Sequence, residues 1–135
     1  MRAKDIKIGD LVAYDGHNVR VDSVSRQLCI LKGGNLTYTV APKEIDGIDL
    51  TEDILARNGW ELDEVQKIWV LSLSKRDNEF LKAVPYSDGG TGESPLFIID
   101  KEEAFESVTL NSEVVYVHEL QHILCALGLN YKMKV

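Results

Sequence analysis

Cysteine is scarce: the chain of 135 residues holds only Cys29 and Cys125, far apart and each among apolar neighbours. With no CxxC pair there is no zinc ribbon. The reading is two buried free thiols in a reducing compartment, with a single disulfide as the alternative. No apolar run approaches the ~18 residues needed to span a bilayer. The opening stretch, residues 1–7, carries bases but no apolar segment behind them. No signal peptide is therefore expected, and the chain is placed in the cytoplasm without a membrane partner. There is no block of five or six like charges, no internal repeat and no low-complexity tract. Those absences exclude a collagen-like or disordered protein.

What is present is ordinary for a globular protein: 44% hydrophobic and 27% charged residues. The length fits one domain or two lobes, and folding would bury roughly two-thirds of the unfolded surface. A net charge of −7 argues against a general nucleic-acid coat. The charge is uneven, with seven bases and five acids in residues 1–45 against eight bases and seventeen acids in the remainder.

The first fifty residues read as short strands. Residues 11–14 are apolar and lead into Asp15-Gly16, a pair suited to the positive φ angles of a tight hairpin. Val19 and Val21 alternate with Arg20 and Asp22, the period of a strand with one buried face. Residues 28–31 form a third run closed by Gly33-Gly34-Asn35, and Tyr38 and Val40 mark a fourth that Pro42 ends. This spacing predicts a small SH3-like, strongly bent β-barrel. A helix follows, with Thr51 as cap, Glu52 and Asp53 in its first turn and Gly59 as its stop. Ile54, Leu55 and Trp60 would pin it to a sheet. Further strands are expected at 68–73, 80–86, 96–99 and 113–117, the last running into a final helix. The glycine-rich stretch 87–95 lacks the Lys-Ser/Thr pair and following helix of a phosphate cradle, and reads as a β–β connection. The acidic run Asp100, Glu102, Glu103 and Glu106 lacks the spacing of a calcium loop.

One motif resembles chemistry. His118-Glu119-Leu120-Gln121-His122 fits HExxH, in which two histidines four apart on a helix bind zinc and the glutamate activates its water. A catalytic zinc takes three protein ligands, however. The longer zinc-protease pattern needs glycine at 125 and histidine at 128, where this chain has Cys125 and Gly128. Thirteen residues follow His122, and none is acidic. At about 100° per residue, Val117, Leu120, Ile123, Leu124 and Leu127 form one apolar arc. His118 and His122 fall opposite it, the position of surface histidines.

The order of three short motifs resembles a family of small uncharacterised proteins from Bacteroidetes genomes and their prophages. The matching pieces are Ile8-Gly9-Asp10-Leu11-Val12, then Leu50-Thr51-Glu52-Asp53 with Gly59-Trp60, then Tyr116-Val117-His118-Glu119-Leu120-Gln121. The chain departs from that family at Asp10 and His122, where the family has asparagine, and at Ile54, where it has tryptophan. The resemblance implies a mobile-element origin and carries no activity with it.

The sequence therefore predicts an α+β protein. Residues 1–50 form a β-barrel-like lobe, and residues 51–135 an antiparallel sheet packed against the C-terminal helix. The expected function is non-catalytic binding or adaptor work through protein contacts, with Tyr116, His118 and Gln121 as the exposed binding residues and no cofactor. Two alternatives stand beside it. One is a zinc hydrolase with His118 and His122 as ligands and Glu119 as base. The other is a nucleic-acid module using Arg20, Arg26 and Lys32 on phosphates and Tyr14 or Tyr38 on bases.

Overall fold

The computed structural model describes residues 1–74, 79–86, 96–102 and 112–135. The protein is α+β and forms two compact units, each with its own five-stranded antiparallel sheet. The first unit comprises Met1–Asp49 with Tyr116–Met133 and Val135, and the second Leu50–Val115 with Lys134.

In the first unit, β1 (Leu11–Tyr14) and β2 (His17–Val24) form a hairpin with Tyr14 opposite His17. Asp15 at φ +48° and Gly16 at φ +76° make the turn, the double positive φ that a right-twisted hairpin favours. β3 (Cys29–Gly33) and β4 (Leu36–Val40) continue the meander. A one-turn 3₁₀ helix at Pro42–Glu44 then leads to β5 (Asp46–Gly47), which returns to β1. The sheet order is β4-β3-β2-β1-β5. Its ends, β4 and β5, are not paired with each other, so the sheet does not close into a barrel. A register shift between Val21 and Ser23 of β2 marks a bulge, which bends a strand and increases its twist. One face buries Val12, Val19, Val21, Cys29, Leu31, Val40 and Ile45 as a continuous cluster. Each large aliphatic side chain so buried contributes about 1.5–3 kcal/mol.

The C-terminal helix α2 (Val117–Ala126) belongs to this first unit, where the sequence placed it with the later strands. It packs on β1. The reason lies in polar bonds that no local pattern announces. Val117 N–H donates to the Ile48 carbonyl at 2.8 Å, and Asp49 and Tyr116 form a β-bridge.

The second unit contains α1 (Glu52–Arg57) and the strands β6 (Glu61–Asp63), β7 (Ile68–Ser74), β8 (Glu79–Tyr86), β9 (Leu96–Glu102) and β10 (Ser112–Val114), in the order β10-β9-β8-β7-β6. Leu81, Ala83, Phe97 and Ile99 are fully buried on alternating positions, as a sheet with one buried face requires. Thr51 caps α1 as expected, its hydroxyl accepting from Ile54 N–H at 3.2 Å, and Gly59 follows the helix at φ +88°. Ile54, Leu55 and Trp60 are buried. The short strands β5 and β6 are additions to the sequence reading. The expected turn at 76–78 and the glycine-rich stretch 87–95 lie outside the described residues, as do Glu103 and Glu106 of the acidic run. Both cysteines are free. Cys29 is buried, but Cys125 is exposed, contrary to expectation. No helix among the described residues is long and apolar enough to cross a membrane.

Candidate functional site

Beside the start of α2, the first unit opens into a cleft of about 540 Å³. Residues of the 1–7 segment, Arg2, Lys4, Asp5 and Lys7 among them, form one wall; Tyr116, His118, Glu119 and His122 form the other. The HExxH residues and Tyr116 thus meet at one place. Their roles differ from those the motif suggests.

Tyr116 is the residue that the sequence placed best. It is 38% exposed, and its ring lies over Gly47. A Cβ at position 47 would sit 2.5 Å from the Tyr116 ring, so only glycine permits the approach. The ring also stacks on His118, with centroids 5.7 Å apart and planes within 13°. His118 meets His122 edge-on at 5.6 Å. The three rings make a ladder along the first two turns of α2.

His118 and Gln121 are corrections. Both were expected at the surface, and both are buried, with 5% and 1% exposure. Gln121 is a structural residue. Its Oε1 accepts from Leu11 N–H at 2.8 Å, and its Nε2 donates to the Tyr131 carbonyl at 3.0 Å and the Gly9 carbonyl at 3.3 Å. The amide thereby fastens α2 to the first edge of β1. Burial pushes the His118 imidazole below its ordinary pKa, against the pull of Asp10 and Glu119. Its Nδ1 is buried without a hydrogen-bond partner.

His122 is half-buried and pairs with Asp10, a residue that sequence reasoning did not place in the site. Its Nε2 lies 2.8 and 2.9 Å from the two Asp10 carboxylate oxygens. Asp10 is nearly inaccessible, and its Oδ2 also accepts from Lys7 N–H at 2.8 Å. That bond reaches back three residues along the chain and is the one local contact among these that ties Asp10 to its own segment. Its contact with His122 spans 112 positions of sequence. Glu119 is engaged too: its Oε1 accepts from Tyr116 N–H at 2.9 Å and caps the helix.

A metal would need the histidine nitrogens and a third donor to converge. Among the described residues no group of three or more His, Cys, Asp or Glu side chains is arranged to hold one. The Asp10–His122 pair could orient a general base, but the cleft wall offers no serine, threonine or cysteine for it to activate. Comparison with family models, with curated proteins and with solved structures finds no match to this chain.

The residues of the nucleic-acid alternative lie on the first unit's sheet or beside it. Lys32 is paired with Asp22 at 3.6 Å, and Arg20 donates to the Gly9 carbonyl at 3.3 Å. Tyr14 and Tyr38 lean on each other at 5.2 Å and pack against the apolar cluster. Both rings are partly buried, and Arg26 is exposed.

Proposed function

We propose that this chain is a non-catalytic binding protein that works through protein contacts at the cleft beside α2. The observation that carries the reading is the engagement of the HExxH residues by the protein itself. Glu119 caps the helix and His122 holds Asp10, and a half-exposed Tyr116 is left fixed at the mouth of an open cleft. A ring held in place before binding loses little entropy on contact, which is why tyrosines serve well at interfaces. The first unit supports an SH3-like reading in an open form: a four-strand meander, a 3₁₀ turn and a return strand beside β1. The resemblance to proteins of Bacteroidetes and their prophages supports a mobile-element origin, and two free cysteines fit a reducing, cytoplasmic setting.

The test is photo-crosslinking from position 116. Replacing Tyr116 with a benzophenone amino acid should yield discrete protein adducts in a lysate of the source organism. The same group at Val65, which is exposed in the second unit, should not. Equal labelling at the two positions would remove the cleft as the working surface. Zinc-dependent peptide hydrolysis abolished by Glu119→Gln would replace binding with catalysis.

A further inference from the structure

The cleft carries a charge that the rest of the chain does not. The protein as a whole is at −7, yet the cleft is lined by Arg2, Lys4 and Lys7 against Asp5 and Glu119. Its acids are engaged already. Asp5 is paired with Arg2 at 3.0 Å, and Glu119 receives the Tyr116 N–H. The ammonium groups of Lys4 and Lys7 belong to exposed residues and have no ion pair among the described residues.

Two further features favour negative charge there. The ten-residue helix α2 begins at the cleft, and a helix N-terminus carries a partial positive charge. Independently, His118 lines the cleft while nine-tenths of its surface is buried, and its Nδ1 lacks a partner. Buried polar atoms in folded proteins nearly always have one. An incoming oxygen acceptor, taken up with a small turn of the ring, would supply it.

We infer that the cleft receives an acidic peptide segment of a partner protein, with its carboxylates at Lys4 and Lys7 and its chain laid against the Tyr116–His118 ring pair. The inference rests on the reading of the cleft as a protein-binding site and names the chemistry of what enters it. The net charge of −7 disfavours a polyanion as long as a nucleic acid. A short acidic segment meets only the basic island. Its association is screened by salt, because the lysines are exposed.

The experiment is a fluorescence-anisotropy titration of the full chain with labelled short peptides. One alternates Glu and Ser, one Lys and Ser, and one Gly and Ser; a single-stranded oligonucleotide and a phosphoserine peptide complete the set. The Glu peptide should bind, and amide NMR shifts should move at Tyr116 and His118. The double variant Lys4→Glu/Lys7→Glu should weaken binding roughly tenfold or more. Lys43→Glu, exposed on the 3₁₀ turn outside the cleft, should change it less than about twofold. Raising salt from about 0.05 M to about 0.5 M should weaken it as well. Absent binding of the Glu peptide, binding undiminished in the double variant, or tighter binding of the Lys peptide, the oligonucleotide or the phosphopeptide would each overturn the inference. If the crosslinks from position 116 persist undiminished in the double variant, the lysines are not recognised and this inference alone falls. If those crosslinks are absent from the unaltered chain as well, the reading beneath it falls too.

Discussion

The two helices begin in the same way and hold on to the protein by different means. α1 is closed mainly by residues at its own two ends: Thr51 caps it, Glu52 and Asp53 occupy its first turn, and Asn58 and Gly59 end it, Asn58 also pairing with the Lys134 backbone. It buries two aliphatic side chains, Ile54 and Leu55. α2 also receives its cap from three residues away, through Glu119, but it buries the polar His118 and Gln121 beside Val117, Leu120 and Leu124. Gln121 reaches Leu11 and Gly9, more than a hundred positions away in the chain. A helix of the first kind is specified by its neighbours. A helix of the second kind is specified by what it lands on, and the cost of breaking it is correspondingly larger.

The largest expected effect follows from that difference. Gln121→Leu keeps the volume but strands the Leu11 N–H and two carbonyls, and a buried group left without a partner costs about 1–3 kcal/mol. The variant should lose about 3 kcal/mol in urea unfolding. A loss below about 1 kcal/mol would mean that water reaches the groups Gln121 leaves behind. Thr51→Ala tests the other helix. It removes one cap at an exposed end and should cost about 1 kcal/mol in the same measurement. Equal losses would erase the distinction between the two helices.

The same contrast explains what was legible in the sequence. The Asp15-Gly16 turn, the Thr51 cap and the Gly59 stop depend on φ angles and bonds within a few residues, and each lies where the pattern put it. The strands β7, β8 and β9 announce themselves as apolar runs. β5 is two residues long and exists because β1 is there to pair with it, so nothing in Asp46-Gly47 alone could show it. On α2, periodicity centred the buried arc on Leu120 and Leu124. The arc is in fact turned toward His118 and Gln121, and Ile123 is left only partly covered. A helical wheel assigns polar side chains to solvent and has no means of seeing the Gly9 and Tyr131 carbonyls that satisfy Gln121. The Asp10–His122 pair was hidden for the same reason. So was the basic wall of the cleft, since Lys4 and Lys7 acquire meaning only once α2 lies beside them.

Acid should separate the helices once more, with the smallest effect. His118 has its pKa lowered from the ordinary 6.5, chiefly by burial, while Asp10, Glu119 and Asp5 pull it upward and His122 adds to the lowering. The unfolded chain therefore takes up a proton near pH 6.5 that the folded chain accepts only at lower pH. In that window the unfolded state binds more protons, so stability falls as pH falls through 6.5 toward the folded value, and His118 contributes no slope above it. The check is the urea midpoint at about pH 7.5 and about pH 5.5 for the unaltered chain, His118→Phe and Thr51→Ala. The other acids and His122 are common to all three, so the difference between drops isolates His118. His118→Phe should show the smallest drop between the two pH values, and Thr51→Ala the same drop as the unaltered chain. An undiminished drop in His118→Phe would move the titrating group off α2's buried face and mean that His118 takes up its proton as readily in the fold as in the unfolded chain.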